Sequence, residues 1–166
     1  MLYAFALTSS LSRLLYKLSE PDCCYIVYSN NIDHYLNLLL HDQPRFILGM
    51  GVYSGVDQEV LRIETVTTNQ FRNSSIESNI DSSEELVINP FVRSIGDSLK
   101  LASSLGNLWC NLINWKIMQL INQKKLNSQY TFLHIPRTYP LYKSKEIIEE
   151  MLKTAQHDSN TFSLKN

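Results

Sequence analysis

The heptapeptide RFILGMG, Arg45 to Gly51, is a compact apolar run that ends on glycine. A run without polar alternation is the pattern of a strand covered on both faces, as in a parallel sheet. Upstream, LYAFAL (2–7) reads as a first strand, and Ser9 and Ser10 can cap a helix carrying Leu11, Leu14, Leu15 and Leu18 on one face. CCYIVYS is a second strand, followed by a helix capped by Asn30 or Asn31 with Ile32, Tyr35, Leu36, Leu39 and Leu40 inward. Downstream, a loop with Gly51 and Gly55 leads into VLRIETVTTNQF, read as one long extended segment, and then into a polar solvent loop over 73–85. NPFVRSIG suits one or two helical turns and SLKLAS a strand, while 107–123 carries Leu108, Leu112, Ile113, Ile117, Leu120 and Ile121 at helical spacing. YTFLHI is a strand closed by Pro136, and a last helix spans Lys143 to Gln156, leaving 157–166 as a frayed tail. Strand and helix alternate throughout. The expectation is a three-layer α/β/α sandwich with a mostly parallel central sheet, phosphorylase/hydrolase-like, in one domain over 1–166.

Composition agrees with a single core. With 166 residues, 44% hydrophobic and 19% charged, the chain can close a core without metal or disulfide staples. The net charge of −1 and the lack of any basic cluster beyond NQKK (122–125) argue against nucleic acid as a partner. MLYAFAL has no positive leader and is too short to span a bilayer, so the expected location is cytoplasmic, off the membrane. The three cysteines include the adjacent pair Cys23 and Cys24 and show no metal spacing, which points to reduced thiols. Strand alternation should bury one of that pair and expose the other; no chemistry is assigned to them, and His34, His41 and His157 have no convincing metal partner.

The chemistry gathers where an open α/β sheet collects it, at strand carboxyl ends and helix amino ends. SSLGNLWCN delivers Cys110 into the first turn of its helix, where free N–H groups and the helix dipole favour thiolate. Reaction well below the free-thiol value near 8.5 would follow. His134 lies near the end of its strand and can take the thiol proton, and an acid such as Glu64 can orient the ring. A buried core thiol and a structural histidine are the competing reading of the same residues.

SSLGNLWCN followed by FLHIP, with Cys110 and His134 standing 24 positions apart, resembles pyroglutamyl peptidase I, the pyrrolidone-carboxyl peptidases. Their motifs are A-G-x-x-x-C-N and then F-x-H-V-P, and PRFILGMGVYSGVDQEVLRIETVTTN is similar to the family's G-x-x-x-G-R-x-x-x-x-x-E-R-V-A-x-N segment. The resemblance runs from about Tyr25 to Gln156. It implies a cysteine exopeptidase that removes an amino-terminal pyroglutamate from peptides without metal or cofactor, its substrate a peptide with a blocked amino terminus. Cys110 would attack, His134 would move the proton and Glu64 would hold the imidazolium. Backbone N–H groups near Cys110, Gly106 among them, would receive the oxyanion, with Asn69 on the family's asparagine and Arg72 offered, at a different offset, for its arginine. The family's tetramers leave a homo-oligomer open.

Departures are as plain as matches. Residues 1–20 lack the family's G-F-E-P-F-G-G loop, whose aromatic residues sandwich the pyroglutamate ring; Phe5, Tyr3 or Tyr53 are substitutes for it, or core packing. The G-G-R arginine falls near Val56-Asp57, Thr65 follows Glu64, and Trp109, read as a core or interface residue, precedes the nucleophile. Two readings stand: a cysteine peptidase acting on a blocked amino terminus, and a degenerate member that keeps the fold as a binding or scaffold protein.

Overall fold

The computed structural model describes residues 1–55, 58–92 and 96–163, with side chains described as far as 155. The Arg45 segment becomes β3 (Phe46–Tyr53), the centre of a six-stranded sheet. The other strands are β1 (Leu2–Ala6), β2 (Cys23–Ile26), β4 (Leu61–Glu64), β9 (Leu99–Ala102) and β10 (Gln129–Pro136), in the order β2-β1-β3-β10-β4-β9. The first four run parallel; β4 is antiparallel to β10 and parallel to β9. Helices α1 (Ser12–Leu15) and α4 (Leu141–Ser163) pack on one face, α2 (Ile32–Asp42) and α3 (Trp109–Asn122) on the other. The sandwich has three layers with a mostly parallel sheet, as the alternation of elements requires.

Each face takes its side chains from the period-2 alternation of the strands. On the α1/α4 side, Leu48, Met50, Leu133, Ile135, Leu61 and Ile63 meet Leu14, Leu15, Ile148, Met151 and Leu152. On the α2/α3 side, Tyr3, Phe5, Ile47 and Phe132 meet Tyr35, Leu39, Ile113 and Ile117. Gly49 belongs to this second face, and a Cβ there would come within 2.5 Å of Phe132 and 2.6 Å of Phe5. The two rings occupy the space that its missing side chain leaves.

Several elements differ from the sequence reading. The long extended segment is broken at Thr65: β4 stays in the main sheet, while β5 (Val66–Thr68) pairs with β8 (Glu85–Val87) and β6 (Gln70–Phe71) with β7 (Ser74–Ser75). The reason is competition for edges, since Thr65 N–H already bonds Ala102 and the chain then turns away to form its own ribbons. Residues 89–92 are not helical, and 93–95, with Val56 and Asp57, lie outside the described residues. Helix α4 runs through Ser163, so part of the segment read as a frayed tail is helical. Leu108, counted in the helical spacing of 107–123, precedes α3 and is 57% exposed. Cys23 and Cys24 are both half-buried, each against a different face, and both are free thiols.

Candidate active site

Strand β10 places Phe132 and His134 on the α3 side, and its antiparallel register with β4 sets His134 opposite Arg62 and Phe132 opposite Glu64. Directly opposed residues of an antiparallel pair share a face. Glu64 thus lies diagonal to His134, and its Oε1 is 2.7 Å from His134 Nδ1, with the carboxylate buried completely and the ring almost so. Phe132 meets the imidazole edge-on at 5.2 Å, and the Tyr53 ring lies 5.9 Å from it. Nδ1 is committed to Glu64, which leaves Nε2 as the ring atom that can exchange a proton with another group.

Gly51 provides the meeting point. It pairs with His134 across β3 and β10, and a Cβ built on it would lie 2.9 Å from Cys110 Sγ, 3.0 Å from Phe132 and 3.1 Å from His134 Cδ2, the ring carbon beside Nε2. Sulfur and imidazole therefore share one side of the sheet and one glycine-made hollow. The helix carrying the sulfur begins at Trp109, so Cys110 is its second residue, among N–H groups that have no partner within the helix.

The electrostatics of the sulfur correct the sequence expectation. Burial, then the negative charge of Glu64, push the Cys110 thiol up to about 12, opposed by its own backbone N–H. Desolvation outweighs the helix end here. In the resting site sulfur keeps its proton, and reaction well below 8.5 is not what this geometry favours.

Two residues that the sequence reading passed over hold the site together. Asn111, fully buried, accepts from Thr67 Oγ1 at 2.7 Å and from Thr68 N–H at 2.9 Å, and its amide donates to the carbonyls of Thr68 at 2.8 Å and Gln70 at 2.6 Å. It ties the first turn of α3 to the chain leaving Glu64, fixing sulfur relative to carboxylate. Its signal is the WCN triplet, in which an amide directly follows the cysteine. Arg62 is the other: its Nε is 3.4 Å from Glu64 Oε1 and its guanidinium lies 4.2 Å from the centre of the Tyr53 ring. Strand alternation puts it on the face of Glu64, two residues away.

The remaining predicted residues go elsewhere. Asn69 spends its amide on the 77–81 turn, donating to Glu77 and Ile80 carbonyls at 2.9 and 2.8 Å and accepting from Glu77 N–H at 2.7 Å. It orders the polar loop, and no hydrogen-bonding capacity is left over for an oxyanion. Arg72 has φ +56, a left-handed conformation costly for a side-chain-bearing residue, held by its N–H to Asn107 O at 2.6 Å and by Asn107 Nδ2 to its carbonyl at 2.8 Å. Its guanidinium lies over Phe71 at 5.3 Å, and Phe71 packs on Trp109 at 4.9 Å. The Arg72 guanidinium is thus engaged on Phe71. Gly106 adopts φ +69 in the turn that feeds α3, which is where glycine is needed.

Trp109 is not a core residue. It is 40% exposed and, with Leu7, Val27, Tyr28, Ser29 and Ile32, lines a cavity of about 160 Å³ at the carboxyl ends of β1 and β2. Phe5 and Tyr3 are core packing, 0% and 3% exposed, so neither replaces the aromatic clamp; Tyr53 alone of the three lies at the site. The chain passes from Leu7 through Thr8 straight into a tight turn at Ser9–Leu11, with no intervening loop.

The fold matches solved structures along nearly the whole length of the chain. Pyrrolidone carboxyl peptidase from Thermococcus litoralis superposes with a TM-score of 0.76 over 98% of this chain and 94% of that one, at 13% identity. The chain has the pyrrolidone carboxyl peptidase fold. Pyroglutamyl peptidase I from Bacillus amyloliquefaciens gives 0.70 over 94% and 96% at 14% identity, and the Thermus thermophilus pyrrolidone carboxyl peptidase 0.68 over 92% and 98% at 14%. The likeness extends beyond Tyr25 into the amino-terminal strand, which the sequence resemblance did not reach. No sequence-family profile and no curated protein sequence matches the chain.

Proposed function

We propose that the protein is a cysteine peptidase-like hydrolase that removes an amino-terminal pyroglutamate, or a similarly blocked residue, from a peptide. The observation that carries this reading is the cluster around Gly51: His134 Nδ1 bonded to Glu64 at 2.7 Å, with Cys110 Sγ and the far side of the ring both facing the space that Gly51 leaves open. The shared fold with pyrrolidone carboxyl peptidases supports it independently.

In this mechanism His134 Nε2 takes the thiol proton as sulfur bonds to the acyl carbon, because a thiol pushed up to about 12 cannot supply preformed thiolate at neutral pH. Glu64 holds the ring and offsets the imidazolium that forms. The free N–H groups at the start of α3 donate hydrogen bonds to the oxyanion, and collapse passes the proton from His134 to the leaving amine. Water, deprotonated by His134, then releases the acyl group from sulfur. The blocked residue is assigned to the cavity between Leu7, Tyr28, Ser29 and Trp109, which stands in for the clamp that the short β1 exit cannot build.

Release of a dye from a pyroglutamyl-linked substrate tests this. Cleavage is expected, falling by about a thousandfold or more in Cys110→Ser. Turnover that equals the Cys110→Ser background at high protein concentration would reject the peptidase and favour the scaffold reading.

A further inference from the structure

The buried carboxylate at the site carries more than one partner. Glu64 Oε1 faces both His134 and Arg62, whereas Oε2 is buried with no hydrogen-bond partner among the described residues. The Arg62 side chain is 13% exposed; its Nε is near enough to Oε1 for an ion pair but makes no directed hydrogen bond. What fixes its position is Tyr53, under the guanidinium at 4.2 Å. A planar cation can stack on a ring and present its edge to a carboxylate together. Around this pair the titratable and charged groups among the described residues come from four further elements: His134 on β10, Tyr53 on β3, Cys110 on α3, and Lys100 on β9, which stands in register with Arg62.

A carboxylate buried beside a neutral imidazole and a neutral thiol would leave the cluster with an uncompensated charge, which is expensive away from water. It would relieve that by keeping a proton on the imidazole, and a protonated ring cannot act as a base. We propose that Arg62 is a positioning residue that neutralises Glu64 and so keeps His134 in its base form while the site rests. This rests on the reading of Cys110, His134 and Glu64 as the reacting cluster. Charge separation is then confined to the moment of attack, when proton and oxyanion appear together.

The experiment compares the full chain with Arg62→Met and Arg62→Lys, following the His134 ring protons by NMR against pH, with the signal assigned by its loss in His134→Gln. In Arg62→Met the ring is expected to stay charged to a pH about one unit higher, a tenfold change in proton affinity. The Lys variant, which keeps the charge, should remain within a third of a unit of the unsubstituted protein. In turnover assays, the acid limb of kcat/KM should move upward with the NMR midpoint. A midpoint that stays or falls in Arg62→Met, or an equal rise in both variants, overturns the proposal. If Arg62→Met does not fold, Arg62→Gln supplies the same comparison. Because the NMR titration needs no substrate, failure of Arg62 and failure of the peptidase reading give different results: the first leaves the titration unchanged, the second abolishes only cleavage.

Discussion

The two faces of the central sheet use the same strands for opposite purposes. Toward α1 and α4, β3 and β10 present Leu48, Met50, Leu133 and Ile135, all essentially buried and closely packed. Toward α3 they present Gly49, Gly51, Phe132 and His134, so the backbone recedes and rings, sulfur and carboxylate fill the space. One face stores stability in apolar area; the other gives some of that up for a hollow in which polar groups meet. The difference arises from residue parity alone, one side chain up and the next down.

The sharpest way to break this contrast is to give the second face a methyl group. In Gly51→Ala the new carbon would sit 2.9 Å from Cys110 Sγ and 3.1 Å from the His134 ring. Sulfur and imidazole must separate, and cleavage should fall about a hundredfold or more, because an ångström of misplacement is enough for that. Unchanged turnover in the dye assay would show that the hollow is not where reaction occurs.

The complementary change is on the apolar face. Leu48→Ala should cost about 2–5 kcal/mol in denaturant unfolding, the usual range for a large core truncation. Turnover per folded molecule should stay within a few-fold. A collapse of turnover in fully folded Leu48→Ala would mean that the faces are not independent.

Asn111 sits where the contrast is weakest, a polar residue working as a structural one. Asn111→Ala leaves the Thr68 N–H without its acceptor and the Thr68 and Gln70 carbonyls without the amide that donates to them, while Thr67 Oγ1 keeps the residue-111 backbone carbonyl at 3.1 Å; the expected loss is about 1–3 kcal/mol per buried group left unpaired. Turnover should drop further than stability alone explains, since the variant also frees the first turn of α3. A melting curve and kcat/KM measured on the same sample separate the two.

The smallest effect concerns pH. Cys110 has its proton affinity raised by folding, from 9.0 toward about 12, so the folded state holds a proton that the unfolded chain releases. Its contribution to stability is complete below about 9 and is lost as pH rises toward 12. Unfolding followed from pH 8 to 11 should show a decline, less steep in Cys110→Ala. The buried Tyr35 and Tyr130, whose affinities burial also raises, will keep part of the slope in the variant.

Much of this was legible in the residues. The apolar run at Arg45–Gly51, the placement of Cys110 at a helix start and of His134 at a strand end, and the alternation of elements all follow from local periodicity, which depends on near neighbours. Asn69 and Arg72 went astray because their motif positions specify an order along the chain and not a direction: one side chain turned into its own loop, the other onto Phe71. Of the core and interface readings of Trp109 the core one falls, because the first residue of α3 is 40% exposed and lines the cavity at Leu7. The thiol was misread because a helix amino end is visible in sequence, whereas the desolvation that overrides it is a property of the packed interior.

By itself the sequence determined the three-layer α/β class, a strand at Arg45–Gly51 covered on both faces, and a thiol, an imidazole and a carboxylate as candidates for one site. Those depend on side-chain period and on interactions within a few residues. Only the tertiary structure decided that Gly51 opens the space they share, that Asn111 locks α3 to the strand of Glu64, and that Arg62 stacks on Tyr53 beside the carboxylate. Each of these is a contact between segments far apart in the chain, set by strand register and packing, and register is fixed only when the whole sheet closes.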